Sequence, residues 1–232
     1  MEITNIQFVR NNNSKRYIIR ILHDQSVRVT IPQYGSQRKA EQFLNDNIDI
    51  LKNKLIKQET IFELNQSYQS KYYQLKILPT KFSNNTDVIN NNIVIRVSSD
   101  KHIRDKINQD YIKNIFEQTL RKEAQLYIPK KTMEYANQYQ LKVSNIKINS
   151  AKTRWGSCSS ENSLNFSLFL MQLPYELINY IILHELSHTI HKNHSKDFYN
   201  LLNKLTERQH PFLNKKLKNF YPNIKAEYFQ KV

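Results

Sequence analysis

Residues 184–194 read His-Glu-Leu-Ser-His-Thr-Ile-His-Lys-Asn-His, the pattern H-E-x-x-H followed by a further histidine six residues later. On a helix, His184 and His188 lie about one turn apart on the same face, so both imidazoles reach one zinc ion at roughly 2.0–2.1 Å. Glu185 follows the first ligand, where it can take a proton from a water molecule that the metal activates. His194 is expected to return as the third ligand. Three protein ligands with one open position are typical of a catalytic metal site rather than a structural one.

The residues around this motif are apolar, as in a helix that packs against a core: Leu177, Ile178, Ile181, Ile182, Leu183, Leu186 and Ile190. An unpaired polar group that faces a core costs a few kcal/mol, so histidines and a glutamate in such a helix need a reason to be there, and this favours the metal site. We expect Asn193 to end the helix in a left-handed conformation and to turn His194 back toward the ion. The alternative is a chance H-E-x-x-H in a structural helix, which the third histidine makes less favourable.

Composition indicates a globular protein of one large domain or two small ones, since the chain has 232 residues of which 39% are hydrophobic. No apolar run reaches the roughly 18 residues of a transmembrane helix, so no membrane partner is expected. The first residues lack the pattern of a signal peptide. The single cysteine, Cys158, cannot form an intramolecular disulfide. These features predict a cytoplasmic protein.

Charge and glycine content narrow the classes of function. The net charge of +15 suits nucleic acid or an acidic substrate, but the charged residues are scattered, and an AT-biased genome would also produce this composition. A nucleic-acid partner is therefore not favoured. Only two glycines occur, Gly35 and Gly156. This excludes the Walker A loop and the glycine-rich dinucleotide fingerprint, which both need more.

Hydrophobic periodicity predicts an α+β fold with a strand-rich N-terminal domain at residues 1–97 and a helical metal domain with a small sheet at residues 98–232. In the first domain, the pattern predicts a hairpin over residues 17–31, a helix capped by Ser36, and alternating strands at residues 73–77 and 93–97 separated by a polar loop. In the second, it predicts the following elements: a helix within residues 100–140 that Pro129 kinks or interrupts, a strand at residues 146–148, a strand at residues 164–170, a helix opened by Pro174, and a helix capped by Ser195.

The segment before the motif helix supplies further candidates for substrate binding: Arg154, Trp155, Gly156 and Ser157. Arg154 suits a substrate carboxylate or phosphate, or a structural ion pair. Trp155 suits core packing more than a substrate platform, and Gly156 suits a bulge or a close backbone approach. We expect residues 154–158 to form one wall of the metal cleft. The strand at residues 164–170 is then expected to expose an edge that binds an extended peptide by strand addition.

These motifs together resemble the YgjP-like metallopeptidase domain, which belongs with the WLM and SprT-like zincins. The resemblance rests on Arg154-Trp155-Gly156-Ser157-Cys158-Ser159, then His184-Glu185-Leu186-Ser187-His188, then His194 and Phe198 in the form H-x-x-x-F. It implies a zincin-like fold with His184, His188 and His194 as ligands of one divalent ion, most simply Zn²⁺, and Glu185 as the catalyst. Some family members have been assigned nucleotide pyrophosphatase activity, so the resemblance implies a peptide or a nucleotide substrate.

Three hypotheses follow, and the first is a metal-dependent hydrolase that acts as a zinc metallopeptidase. The second keeps the metal site but hydrolyses nucleoside triphosphates such as UTP, with Arg154 and lysines on the phosphates. The third is a basic nucleic-acid-binding protein with a structural metal, whose binding would be salt-dependent and indifferent to Glu185.

Overall fold

The computed structural model describes residues 5–22, 26–48, 51, 62–99 and 102–231, and the chain divides into two compact units at residues 1–60 and 61–232. Strands and helices occur in both units, which confirms the predicted α+β class. Among the described residues, no helix combines the length and the apolar character needed to cross a membrane.

The described part of the smaller unit comprises a three-stranded sheet and helix α1: β1 (Ile6–Asn11), β2 (Ile18–Ile21), β3 (Val27–Pro32) and α1 (Gln37–Asp46). The central strand β3 is parallel to β1 and antiparallel to β2, which confirms the predicted pairing of the hairpin strands. Alternate residues of β3 are buried against α1, and Ser36 caps that helix by accepting from the Lys39 backbone N–H. The turn at residues 23–25 and most of the predicted helix beyond residue 48 lie outside the described residues.

The described part of the larger unit contains two sheets and several helices. Its first sheet has the order β11-β4-β5-β7-β6, and its second has the order β8-β10-β9. The elements in chain order are β4 (Ser67–Gln69), β5 (Gln74–Thr80), β6 (Asn85–Ile89), β7 (Asn92–Ser98), α2 (Lys106–Gln138), β8 (Asn145–Asn149), β9 (Gly156–Cys158), β10 (Ser163–Ser167), a 3₁₀ helix (Leu168–Gln172), α3 (Tyr175–Ser187), α4 (Lys196–Leu205), α5 (His210–Leu217), a 3₁₀ helix (Ala226–Tyr228) and β11 (Gln230–Lys231).

One hydrophobic core fills the larger unit from the first sheet to the motif helix. Leu75 and Ile95 of the first sheet, Phe116 of α2, and Ile182 of α3 all belong to it. The compact units therefore divide after residue 60, which differs from the boundary predicted at residues 97 and 98. The reason is that strands β4, β5 and β7 contribute apolar residues to the core that the following helices also line, so much of the segment 62–97 shares the core of the metal-binding region.

The structure corrects two of the predicted elements in the larger unit. The polar segment between β5 and β7 contains β6, an edge strand whose side chains are mostly exposed, so no hydrophobic alternation marks it. Helix α2 runs through Pro129 without interruption. Proline removes the hydrogen bond to the carbonyl four residues earlier. That carbonyl belongs to Gln125, which is exposed, so water can replace the missing donor.

A third correction concerns the strand that precedes the motif helix. The strand predicted over residues 164–170 ends at Ser167, and residues 168–172 form a 3₁₀ helix. Strand β10 is also the centre of its sheet, parallel to β8 and antiparallel to β9. Strand addition at residues 164–170 is therefore wrong, because both edges of β10 are already paired. Among the described strands, the two edges of this sheet belong to β8 and to β9, the short strand that begins at Gly156.

Candidate metal centre

Helix α3 and the turn after it position the three motif histidines. Helix α3 starts after Pro174 and carries His184 in its last turn, whereas His188 is the residue that caps its C-terminus. The His188 Nδ1 atom lies 2.9 Å from the His191 carbonyl oxygen, which orients the ring and leaves Nε2 available. The helix thus ends at Ser187, whereas the sequence predicted an end at Asn193. Asn193 does not adopt the predicted left-handed conformation.

The chain then returns so that His194 meets the first two histidines. One nitrogen each from His184, His188 and His194 lies within 4.8 Å of the other two, and the Nε2 atoms of His184 and His194 are 3.1 Å apart. In a tetrahedral zinc site with bonds of roughly 2.0–2.1 Å, ligand nitrogens are separated by about 3.3 Å. The cluster therefore fits a single ion of that size, and its imidazole donors suit zinc and other late transition metals.

Phe198 packs against all three histidine rings and so fixes their arrangement. It is fully buried at the first turn of α4, and its ring centroid lies 5.0 Å from that of His184, 4.4 Å from that of His188 and 4.7 Å from that of His194. Ser195 caps this helix by accepting from the Phe198 backbone N–H, as the sequence predicted. The spacing H-x-x-x-F therefore places an apolar support one turn after the third histidine.

Burial keeps two of the three histidines in the form that binds metal. Burial, followed by the nearby imidazoles of His188, His194 and His210, lowers the pKa of His184 to about 3. Burial also lowers the pKa of His188, partly opposed by its contact with the His191 carbonyl. Neutral imidazoles are the ligand form, so these side chains need not release a proton to bind an ion at neutral pH.

Glu185 lies next to the cluster on the side that faces β9. It is 6% exposed, and burial raises its pKa to about 8, while the Arg154 guanidinium works in the opposite direction. A Cβ atom at position 156 would lie only 2.7 Å from Glu185 Cγ and 2.8 Å from its Oε1 atom. The predicted close backbone approach at Gly156 is thus present, and the group that needs the space is the carboxylate of the motif.

The structure places two of the four candidate substrate-binding residues beside Glu185 and the other two away from it. Gly156 contacts Glu185, and Arg154 is exposed and close enough to influence its carboxylate. Trp155 is partly buried against the main core, in line with the packing interpretation. Because side chains alternate along a strand, Ser157 faces away from Glu185, on the opposite side of the sheet from Gly156. Arg154 and Gly156 therefore lie beside Glu185, whereas Trp155 packs against the core and Ser157 faces away from Glu185.

Several residues near the cluster were not singled out from the sequence. Lys192, between the second and third histidines, donates to the Ser159 carbonyl at 2.8 Å and also to Asn162 Oδ1, so it ties the histidine-bearing turn to the β9–β10 turn. The rings of Tyr180 and Tyr199 lie beside the cluster. Periodicity marks such residues only as members of helices, and no spacing rule connects them to a metal.

Three clustered histidines beside a buried carboxylate form the arrangement of a metal-dependent hydrolase. Comparison with protein families identifies the family of this chain. The model of the YgjP-like metallopeptidase domain matches residues 15–220, so the chain belongs to the YgjP-like metallopeptidase family. The protein is accordingly a metal-dependent hydrolase of this family.

Other comparisons gave two solved structures and no curated relative. A search of curated proteins found no match. The metallopeptidase zymogen jannalysin from Methanocaldococcus jannaschii is 28% identical, with a TM-score of 0.36 over 40% of this chain and 94% of its own. The metallopeptidase zymogen abylysin from Pyrococcus abyssi is 17% identical, with a TM-score of 0.32 over 38% of this chain and 93% of its own.

Proposed function

We propose that the protein is a zinc peptidase that holds one ion through His184, His188 and His194 and uses Glu185 as its general base. The observation that carries this proposal is the convergence of three imidazole nitrogens within 4.8 Å beside a buried carboxylate. When bound, such an ion supplies a Lewis acid that polarises a carbonyl group and makes a water molecule more acidic.

The protein groups then perform the proton transfers. Glu185 accepts a proton from the attacking water and later delivers it to the leaving amine, which is the work of a positioned general base. Its burial raises the affinity of the carboxylate for that proton, and Arg154 keeps the charged form accessible. Gly156 has no side chain, so the carboxylate can lie against the strand rather than being pushed toward the histidines.

The open edge of β9 supports a peptide substrate. Trp155, Ser157 and Ser159 direct their backbone groups toward β10, as the hydrogen bonds at the two ends of the pairing show. In an antiparallel pair, the alternate residues point their N–H and C=O groups the other way. The backbone groups of Gly156 and Cys158 therefore face the edge on which no described strand pairs. An extended peptide added there would run past Glu185.

A second candidate function uses the same centre on nucleoside triphosphates. It is favoured by Arg154, whose exposed guanidinium lies near Glu185 and could bind a phosphate group. It gains nothing from the open strand edge, because a nucleotide has no peptide backbone to pair with. The non-enzymatic hypothesis, a nucleic-acid-binding protein, gains no support from membership in a metallopeptidase family.

A substrate screen of the zinc-loaded protein tests the proposal directly. Casein cleavage and release of phosphate or pyrophosphate from UTP are measured side by side, with Glu185→Gln as the inactive control. We expect casein cleavage that the Gln variant loses. Hydrolysis of UTP without any cleavage of casein would reject the peptidase function in favour of the second candidate.

Metal analysis tests the ligand set independently of substrate. We expect one zinc ion per wild-type chain and a sharply reduced content for His194→Ala. The matched control is His102→Ala, because His102 is exposed and lies outside the cluster. If His194→Ala retained full metal content, His194 would not be the third ligand.

A further inference from the structure

His210 lies beside the three-histidine cluster without belonging to it. It opens helix α5, and its ring centroid lies 5.8 Å from that of Tyr180 and 5.3 Å from that of Tyr199. The Tyr180 ring is 6.3 Å from the ring of His184, and the Tyr199 ring is 6.1 Å from the ring of His194. A single tyrosine ring therefore separates His210 from each of two proposed ligands. His210, Tyr180 and Tyr199 lie on three different helices.

A hydrogen bond to Tyr180 fixes the tautomer of His210. The Tyr180 hydroxyl oxygen lies 2.9 Å from His210 Nδ1, and the tyrosine side chain is only 3% exposed. A buried hydroxyl that donates to nothing costs about 1–3 kcal/mol, so the phenol is expected to donate and Nδ1 to accept. A neutral imidazole that accepts at Nδ1 carries its proton on Nε2. The other edge of the ring is then a hydrogen-bond donor.

We propose that His210 donates a hydrogen bond from Nε2 to the carbonyl oxygen of the peptide bond under attack. The two flanking tyrosine rings and the Tyr180 hydroxyl hold the imidazole in place, and His210 is only half-buried. A fixed donor aimed at an oxygen that gains negative charge stabilises the transition state more than the bound substrate. Burial also lowers the pKa of His210, which favours the neutral donor.

This role rests on the proposed peptidase function, and it differs from simple packing in a way that two variants separate. His210→Phe keeps a flat ring between Tyr180 and Tyr199 but removes both nitrogens. His210→Gln loses the ring but keeps an amide donor near the position of Nε2. If His210 only fills space, the Phe variant is active and the Gln variant is impaired; the proposed donor role gives the opposite order.

The expected result is a loss of about 10²–10³-fold in kcat for His210→Phe, with little change in KM and unchanged zinc content. His210→Gln should recover most of that loss, and His102→Phe, at an exposed histidine elsewhere, should match the wild type. A fully active Phe variant, or equal impairment of the Phe and Gln variants, would overturn the role of His210.

Nitrogen NMR of the histidine rings supplies a readout that does not depend on activity. In ¹⁵N-labelled zinc-free protein, we expect the proton of His210 on Nε2, and a mixture of tautomers in Tyr180→Phe. A proton held on Nδ1 in the wild type would overturn the inference. If the wild type cleaves peptides and the Phe variant is unimpaired, the role of His210 is rejected and the peptidase function stands. If the wild type hydrolyses nucleotides and no peptides, the proposed peptidase function is rejected, and with it the hydrogen bond from His210 to a peptide carbonyl.

Discussion

Glu185 in the metal cleft and Glu123 in helix α2 are both buried carboxylates, and burial raises the pKa of each. Their surroundings differ. Glu123 accepts hydrogen bonds from the Ser70 hydroxyl at 2.6 Å and from the Tyr72 backbone N–H at 2.7 Å, so it fixes the turn between β4 and β5 against α2. Glu185 instead lies against a glycine and beside three histidines.

The contrast shows that burial of a carboxylate does not by itself mark a catalytic group. Hydrogen-bond donors from the backbone and from a hydroxyl occupy one oxygen of Glu123, and the partly buried Lys71 favours its charged form. Such donors commit the carboxylate to holding a turn. Glu185, beside the three clustered histidines, suits the role of general base proposed above. The following predictions test this division of roles, from the largest effect to the smallest.

Replacement of Glu185 by Gln should produce the largest effect on catalysis. The amide keeps the shape but cannot accept a proton, so we expect kcat/KM to fall by about 10²–10⁴-fold. Zinc content should be unchanged, and the free energy of unfolding of the zinc-free protein should not decrease, because a buried ionisable group is removed. Kinetics, metal analysis and urea denaturation check these outcomes. The corresponding Glu123→Gln variant should retain its activity, and an equal loss in both variants would remove the contrast.

Replacement of Gly156 by Ala should affect Glu185 without touching the histidines. The added Cβ would lie 2.7–2.9 Å from three side-chain atoms of Glu185, so the carboxylate must move. A displacement of about 1 Å of a catalytic group costs on the order of 10²-fold in rate. We expect a loss of that order in kcat with zinc content near that of the wild type. Normal activity in Gly156→Ala would show that the base does not require its position against β9.

Replacement of Glu123 by Ala should reduce stability rather than catalysis. The change leaves the Tyr72 N–H without its acceptor, whereas the Ser70 hydroxyl can still donate to the Tyr73 carbonyl, and we expect a cost of about 1–3 kcal/mol in the free energy of unfolding. Urea denaturation measures this loss, and kcat per folded molecule should stay constant. Glu117→Ala is the matched control on the same helix, because its ion pair with Arg121 is at the surface and contributes little. A loss of turnover in folded Glu123→Ala would contradict the structural role.

The smallest effect is a pH dependence of stability that Glu123 contributes. Its pKa is raised in the folded state, chiefly by burial, so the folded protein binds the proton more tightly than the unfolded chain. The resulting stabilisation is fully present below the unfolded pKa of about 4.3 and is lost as the pH rises through the folded pKa. The difference in unfolding free energy between wild type and Glu123→Gln should therefore decrease with rising pH across that window. A difference that grows with pH would mean that the hydrogen bonds outweigh burial.

The sequence predicted the parts of the site that depend on local spacing. His184 and His188 follow from one helical turn, Ser195 from a capping pattern, and Gly156 from the scarcity of glycine in this chain. The central position of β10 could not be predicted, because strand order depends on contacts distant in sequence. The alternation of Leu164 and Phe166 fits an edge strand and a central strand equally well.

The residues that surround the site also could not be predicted from the sequence. In the sequence, Glu123 does not differ from the other polar residues of a long helix. Its contact with the turn at Ser70 depends on tertiary structure. His210 lies 22 residues after His188 and on another helix, so no motif relates the two. The edge strand β6 was missed because its residues are mostly polar, and a strand with solvent on both faces leaves no periodic trace.

Helix α2 has a consequence for how the protein responds to heat. Its 33 residues contact the first sheet at strand β7 and also the motif helix α3 and the 3₁₀ helix before it, and all of these share one core. Melting of either part exposes the buried side of the same helix, so the sheet and the metal centre are expected to unfold in one cooperative transition. A bound ion would then protect strands that it never touches, and a chain cut before residue 98 would lose the sheet that shares a core with the motif helix.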